Sequence, residues 1–189
     1  MERIWLKSYP AGVPAEIDPD SIPSLKQLFE DACREHAARP AFTNMGRTLS
    51  YGEIDELSRR FGAWLQHEAG LARGDRIALM MPNVLQYPIA LIGALRAGLT
   101  VVNTNPLYTA RELEHQLNDS GAKVIVIFEN ACATLAGIIG RTRIERVIVT
   151  GIGDLLGFPK GPIVNFVLRR VKKLVPAWRL PGALRFNAV

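Results

Sequence analysis

Two polar loops that follow apolar segments contain the residues best suited to binding a nucleotide. GIGDLLG (151–157) follows RVIVT and begins like a glycine-rich loop that holds a pyrophosphate. Its third glycine lies one position too late for that motif. Phe158-Pro159 also interrupts the helix whose amino terminus would hold the phosphates. Because the sequence also contains no GxxxxGK[S/T] motif, we expect a simple turn at 151–157.

The second polar loop is Asn103-Thr104-Asn105-Pro106, at the end of the apolar run that starts at Leu99. Pro106 cannot donate to a strand ladder and favours an extended Asn105, so the strand must end there. Thr109 can then cap a helix, with Glu112 three residues later completing a capping box. Folding alone explains this loop, and we predict a corner rather than a chemical site.

Other reactive residue types form no catalytic or metal-binding pattern. His115 in ELEHQL has no second histidine four residues away, as a zinc-binding HExxH helix would, and no GxSxG nucleophile turn occurs. Cys33 and Cys132 lie far apart in sequence, which favours free thiols in a reducing cytoplasm. We expect no metal site.

The elements that would position these loops follow a regular alternation. Apolar, mostly β-branched runs at 76–81, 99–103, 123–128 and 146–150 alternate with helical patterns at 83–97, 109–119 and 130–140. Continuously apolar strands of this kind are typical of a parallel sheet buried on both faces. AFTNMGRTLSY (41–51) predicts a hairpin, followed by a helix capped by Ser50 and Glu53. We predict an α/β fold, doubly wound, with a mostly parallel sheet, flanking helices and an N-terminal β-hairpin.

The positive charge lies at one end of the chain. Residues 1–154 contain 16 Lys and Arg and 18 Asp and Glu, whereas residues 155–189 contain seven Lys and Arg and no acid. A helix predicted at Ile163–Val175 has one apolar face, with Arg169, Lys172 and Lys173 opposite it and Arg170 at the border. Such a helix can lie on an anionic membrane surface or pack on the core with its basic face in water. Nothing resembling a base-reading module accompanies the charge, so we expect no nucleic-acid partner.

Composition and length are those of an ordinary globular chain. The 189 residues are 48% hydrophobic and 22% charged, with no apolar run long enough to span a bilayer. The opening MERIWLKSYPAGVPAE lacks the apolar core of a signal peptide and is interrupted by prolines, so we expect no secretion signal. We expect a cytoplasmic protein, with peripheral attachment to the inner face of the membrane if the basic helix binds lipid. We divide the chain into an N-terminal extension and first helix (1–40), a hairpin with βα repeats (41–150), and a loop with the basic helix (151–189).

Several stretches resemble the N-terminal part of bacterial long-chain fatty-acid–CoA ligases, which are adenylate-forming, AMP-binding enzymes. TLSYGEI and LRAGLTVVNTNP are similar to the first two core motifs of that superfamily. ERIWLKSYPAGVPAEI and NPLYTARELEHQLNDSGA resemble the long-chain branch. The resemblance implies the first subdomain of the large domain of such an enzyme, truncated before its catalytic parts, and a role in fatty acid metabolism such as β-oxidation.

The resemblance implies a two-step reaction in the full enzyme. A long-chain fatty acid carboxylate attacks the α-phosphate of ATP, accompanied by Mg²⁺, and CoA thiol then displaces AMP to give acyl-CoA. The family's Ser/Thr/Gly-rich phosphate loop and its later catalytic lysine do not occur in these 189 residues. We therefore expect the chain alone to be inactive and assign it no catalytic residue.

The resemblance also implies where ligands could approach this part of the enzyme. The loop after the second core motif lies towards the CoA entrance in relatives, which makes Leu107, Tyr108 and Arg111 candidate contacts. Alternatively, Leu107 and Tyr108 form a packed turn and Arg111 is a charge on the helix surface. Relatives are sometimes homodimers through this domain. The competing interpretation of the chain is a non-catalytic α/β interaction module with a basic, membrane-surface helix.

Overall fold

The hairpin and the helix after it form as their local sequence requires. The computed structural model describes residues 2–189. A 3₁₀ turn (Ile4–Ser8) and helix α1 (Leu25–Glu35) precede antiparallel strands β1 (Pro40–Asn44) and β2 (Arg47–Ser50). Met45 and Gly46 join the strands with φ values of 47° and 76°, the left-handed pair that a tight hairpin turn needs. Helix α2 (Tyr51–His67) begins at the predicted Ser50–Glu53 capping box.

The apolar runs pair side by side in one parallel sheet. Its strands are β3 (Arg76–Met80), β4 (Thr100–Asn103), β5 (Val124–Phe128), β6 (Arg146–Thr150) and β7 (Leu184–Arg185). Their order across the sheet is β4-β3-β5-β6-β7, and every pairing is parallel. The predicted α/β class with a parallel sheet and flanking helices is confirmed.

Helices cover both faces of this sheet, so alternate strand residues enter two different cores. Ile77 and Leu79 of β3 pack with α2 and with helix α3 (Gln86–Arg96) on one face. Ala78 and Met80 pack on the other face with helices α4 (Ala110–Ser120) and α5 (Cys132–Ala136). Each fully buried large apolar side chain contributes roughly 1.5–3 kcal/mol, which is why strands without polar alternation require two covered faces.

The segment 130–140 differs from the single helix predicted there. A 3₁₀ turn (Glu129–Ala131), the short α5 and a second 3₁₀ turn (Ile139–Arg141) occupy it. Gly137 and Gly140 lie within the predicted span, and glycine disfavours helix continuation. Leu135 and Ile138 are still buried. The apolar periodicity therefore predicted correctly which residues are buried, but it predicted too long a helix.

The carboxyl-terminal region also departs from prediction. The predicted helix Ile163–Val175 is instead helix α6 (Lys160–Phe166) followed by a π-helical turn (Val167–Val171). The tail, for which no element was predicted after the basic helix, adds the two-residue strand β7 beside β6 and a 3₁₀ turn (Phe186–Ala188). A two-residue strand is too short to give a periodic sequence signal.

Candidate functional site

The strands of the parallel sheet end along one margin, which we call the carboxyl edge. Strand β4 pairs with one side of β3, and the next strand, β5, pairs with the other side, so the strand order reverses at β3. In doubly wound folds, ligands bind outside the carboxyl ends of the strands at such a reversal. The loops after β3, β4, β5 and β6 therefore form the candidate ligand-binding region of this fold.

The loop after β4 uses its polar groups to build the corner. The Thr104 amide donates to the Leu79 carbonyl at 3.0 Å, and the side chain of Asn105 accepts from the Leu107 amide at 3.0 Å. Thr109 and Glu112 form the predicted capping box of α4. The hydrogen bond from the Thr109 amide is the main reason that the pKa of Glu112 is lowered. This loop is the corner that the sequence predicted.

The loop after β6 is likewise bonded within the fold. The Gly151 amide donates to Asp154 Oδ2 at 2.7 Å, and the Gly153 amide donates to Asn165 Oδ1 at 2.9 Å. Asn165 Nδ2 in turn donates to Asp154 Oδ1 at 2.8 Å. Amides that would have to face a phosphate instead contact side-chain oxygens of this chain, which agrees with a turn at 151–157.

A buried acid directly follows β5. Glu129 is 1% exposed, and its Oε2 lies 2.6 Å from Arg169 Nη2 and 3.8 Å from Arg185 Nη1. Its Oε1 is buried and accepts no hydrogen bond from residues 2–189. The guanidinium of Arg185 also lies 5.6 Å from the ring centre of Trp178. This cluster, Glu129–Arg169–Arg185, ties the tail of the chain to the carboxyl edge.

A second polar cluster lies between α1, α2 and α3. Arg96 Nη2 contacts Asp55 Oδ1 at 2.5 Å, and Arg59 also pairs with Asp55. Burial raises the pKa of Asp55, but the hydrogen bonds from Arg96 and Arg59 outweigh it and lower the pKa overall. A cavity of about 450 Å³ beside this pair is lined by Glu30, Cys33, Arg34, Ala37, Gly52, Asp55, Arg59 and Arg96. Arg96 of α3 also lies 3.7 Å from Glu30 of α1, so its contacts with Glu30 and Asp55 link the three helices.

The three predicted CoA-entrance residues lie together at the start of α4, but they differ in exposure. Leu107 is 87% exposed. Tyr108 is half-buried and packs against the core that contains α4 and α5. Arg111 is exposed and borders a shallow depression with Thr109, Glu112 and His115. The chain thus presents one apolar and one cationic side chain to solvent here.

The four basic residues predicted to face a membrane do not share one face. Arg170, Lys172 and Lys173 are exposed, whereas Arg169 turns inward to Glu129. The predicted apolar and basic faces assumed α-helical spacing from Ile163 to Val175. The π-helical turn Val167–Val171 has more residues per turn than an α-helix, so the residues that follow it are rotated away from the predicted faces.

Sequence reasoning missed Glu129 and Gln86, which are both 1% exposed. Gln86 Nε2 donates to the Gly151 carbonyl at 2.8 Å and so ties the start of α3 to the loop after β6. The one available signal was the position of Glu129, an acid directly after an apolar strand. Its partner Arg169 lies 40 residues away, and no local pattern indicated the pairing.

Residues 2–189 contain neither a metal-binding cluster of side chains nor a helix suited to crossing a membrane. No group of three or more His, Cys, Asp or Glu side chains in this range is arranged to hold a metal ion. None of the helices described here combines the length and apolar character required to cross a bilayer.

Comparison with known sequences gives consistent matches along the chain. The family described as "AMP-binding enzyme" matches residues 29–173. A long-chain-fatty-acid–CoA ligase of Yersinia pestis is 56% identical over 189 residues, covering 100% of this chain and 34% of that protein. A ligase of the same description from Bacillus subtilis is 33% identical over 159 residues, covering 84% of this chain and 28% of that protein. The chain spans about a third of the length of the relatives it matches.

Solved structures give the same fold. An anthranilate CoA ligase bound to anthranoyl-AMP superimposes with a TM-score of 0.68 at 17% identity, covering 86% of this chain and 27% of that one. A long-chain-fatty-acid-CoA ligase from Archaeoglobus fulgidus gives a TM-score of 0.62 at 27% identity, covering 75% of this chain and 29% of that one. With its parallel sheet, its carboxyl-edge loops and a family match over most of its length, the chain belongs to the AMP-binding enzyme family.

Proposed function

We propose that this chain is the amino-terminal α/β part of a long-chain fatty-acid–CoA ligase. The observation that carries the proposal is identity of 56% and 52% over 189 residues to ligases of that description from Yersinia pestis and Haemophilus influenzae. The full enzyme would take a long-chain fatty acid, ATP with its Mg²⁺, and CoA as substrates.

The proposed reaction assigns this part a scaffold role. The fatty acid carboxylate attacks the α-phosphate, pyrophosphate leaves, and the CoA sulfur then displaces AMP to form the thioester. Both steps need donors and cations directed at developing negative charge. Within residues 2–189, the polar groups of the loops after β4 and β6 are bonded to the fold itself. We therefore expect the isolated chain to form neither acyl-adenylate nor acyl-CoA.

A chimaeric enzyme tests this proposal. These 189 residues would replace the matching third of the Yersinia pestis ligase, and oleate-dependent pyrophosphate release and oleoyl-CoA formation would be measured. We expect activity within about tenfold of the parent, and none from the 189-residue chain alone. A chimaera that unfolds cooperatively on heating but releases no pyrophosphate would contradict the scaffold role. Pyrophosphate release by the isolated chain would do the same.

Two exposed side chains at the start of α4, Leu107 and Arg111, support a CoA entrance at this position. We propose that Arg111 attracts the CoA phosphates while Leu107 and Tyr108 border the nucleotide. In the chimaera, Arg111→Ala should raise the Michaelis constant for CoA about threefold to tenfold and leave that for oleate unchanged. Arg143→Ala removes an exposed arginine at the opposite, amino end of β6 and serves as the control. An unchanged constant for CoA would exclude the contact.

A second proposal is that the tail binds an anionic membrane surface on the cytoplasmic side. The observation that favours it is the exposure of large apolar side chains beside exposed cations in one segment. The apolar residues are Phe158, Ile163, Phe166, Val171 and Leu174, and the cations are Lys160, Arg170, Lys172 and Lys173. Apolar insertion combined with cationic attraction is the usual way a helix lies in a membrane interface.

Vesicle co-sedimentation distinguishes this proposal from a solvated basic surface. The chain should bind vesicles of phosphatidylglycerol and phosphatidylcholine but not pure phosphatidylcholine, and changing Arg170, Lys172 and Lys173 together to Gln should abolish binding. The control changes Lys26, Arg73 and Arg143 to Gln, which removes the same charge from exposed positions elsewhere. Equal loss in both triple variants would indicate non-specific attraction and exclude a docking helix.

A further inference from the structure

Residues 158–175, which we call the strap, lie beside the carboxyl edge between two buried leucines. Leu156 precedes the strap and Leu180 follows it, and each is 6% exposed. The two leucines belong to the cores on opposite faces of the sheet. The ends of the strap are therefore anchored by apolar packing, independently of what holds its middle.

The strap itself buries little apolar surface. Ile163, Phe166, Val171 and Leu174 are 56%, 60%, 65% and 54% exposed. Val164 is the strap residue that packs against the core beneath. Apolar burial supplies most of the free energy that holds an element in place, so this segment lacks the usual means of docking.

Polar contacts replace the missing apolar ones. Arg169 Nε donates to Glu129 Oε2 at 2.7 Å, and Glu129 is 1% exposed. Asn130 Nδ2 donates to the Leu174 carbonyl at 2.9 Å, and Asn165 Oδ1 accepts from the Gly153 amide at 2.9 Å. Of these, the Arg169–Glu129 pair is charged and its carboxylate is buried, so we expect its loss to have the largest effect.

The backbone at each end can act as a pivot. Gly157, directly before the strap, has φ +77°, and Lys173, near its end, has φ +50°. Pro176 directly follows the strap and prevents helix continuation. Segments joined by such positions, with few buried apolar contacts, open locally at a lower free energy than the core.

We propose that the strap opens from the carboxyl edge as a local unit and that Glu129 is the latch that holds it closed. Opening breaks the Arg169–Glu129 contact and exposes the ends of β5 and β6, while Leu156 and Leu180 keep the flanking chain docked. The strap is thus a conformational device that controls access to the edge where folds of this type bind ligands. This inference does not depend on the proposed ligase activity.

Amide hydrogen exchange of the 189-residue chain and its Glu129→Gln variant tests the latch. The variant keeps the side-chain shape but removes the charge paired with Arg169. We expect exchange in 161–171 to accelerate at least about tenfold, while β3 and β5 keep their wild-type rates. Unchanged rates in 161–171 would overturn the proposal, as would equal acceleration in the strap and the sheet.

Two further variants complete the test. Arg169→Gln breaks the same contact from the strap side and should accelerate exchange in the same residues. Glu114→Gln breaks an exposed pair with Arg141 (Nη2 to Oε2, 2.8 Å) and should leave the strap unchanged. If both Glu129→Gln and Arg169→Gln unfold the whole chain, the pair is a general core element and not a latch.

Discussion

Close approach of α2 and α3 depends on single glycines. A Cβ atom added to Gly93 would lie 2.8 Å from Phe61 Cδ1 and 2.9 Å from the Ser58 carbonyl oxygen. A Cβ on Gly62 would lie 2.9 Å from the Gly93 carbonyl oxygen. Real Cβ atoms do not approach backbone this closely, so the two helices pack at this separation only because both positions lack side chains.

We therefore expect Gly93→Ala to lower the free energy of unfolding by about 1–3 kcal/mol, since overpacking outweighs the gain in helix propensity. Urea unfolding followed by circular dichroism measures the change. Gly140→Ala is the control, because a Cβ there meets nothing within 4 Å, and it should be neutral or slightly stabilising. A stable Gly93→Ala variant would mean that the helices can separate without cost.

The two thiols are withdrawn from water and from reaction. Cys33 and Cys132 are 3% and 0% exposed, and neither forms a disulfide within residues 2–189. Burial, with a smaller contribution from Glu129, raises the pKa of Cys132 to about 12, and burial also raises the pKa of Cys33. Since the thiolate is the reactive form, both should be inert in the folded chain.

A chromogenic disulfide reagent at about pH 8 should therefore label neither thiol in the native chain over the time in which free cysteine reacts completely. In strong denaturant it should label both. Cys33→Ser and Cys132→Ser assign any residual labelling to one site. Rapid native labelling of either thiol would show that its core opens far more easily than its burial implies.

At the scale of elements, caps and turns define where secondary structure begins. Ser50 and Thr109 accept from the Glu53 and Glu112 amides, and both glutamates return the bond, so each helix start is closed reciprocally. These boxes were predictable because all their partners lie within three residues. The broken segment 130–140 and the π-helical turn were not predicted. The helical pattern gave no weight to Gly137 and Gly140, and Arg169 in the π-helical turn contacts Glu129, which is 40 residues away in sequence.

Thr109→Ala should destabilise the chain by about 1 kcal/mol, because it removes the acceptor for the Glu112 amide. Thermal unfolding would detect this as a fall of several degrees in the midpoint. Asp119→Ala changes an exposed residue at the other end of the same helix and should stay within about 0.5 kcal/mol of wild type. Equal effects of the two changes would exclude the cap as the cause.

At the scale of the whole molecule, carboxylates paired across elements link stability to pH. The hydrogen bond from Lys123, at 2.8 Å, and that from the Ala72 amide lower the pKa of Asp75, which joins the loop before β3 to the start of β5. The pKa of Asp55, between α2 and α3, is also lowered. A carboxyl whose pKa is depressed by folding stabilises the chain above its unfolded pKa, and this contribution is lost as pH falls through the folded value.

We expect the urea midpoint to be nearly constant from about pH 6 to 8 and to fall progressively below about pH 4.5, where unfolded carboxylates begin to bind protons. Asp75→Asn should lower stability at pH 7 and flatten the acid limb of the profile. Asp119→Asn, at an exposed position, should do neither. If Asp75→Asn leaves the acid limb unchanged, the Asp75 carboxylate does not contribute to the loss of stability at low pH.

The sequence by itself determined the α/β class, the hairpin, two helix starts and the corner at 103–106. Each of these depends on residues within a few positions of one another or on unbroken apolar runs. The assignment of Leu107, Tyr108 and Arg111 to a CoA entrance stays a prediction, because it came from resemblance and not from a local pattern.

Only the tertiary structure decided which distant residues meet. Glu129 pairs with Arg169 across 40 positions, Gln86 bonds to the loop after β6, and Leu184–Arg185 completes the sheet. No periodicity marks such contacts, because each consists of one or two residues whose partners are brought near by the packing of whole elements. The Arg169–Glu129 ion pair and the position of the strap beside the carboxyl edge are therefore decided only by the assembled sheet.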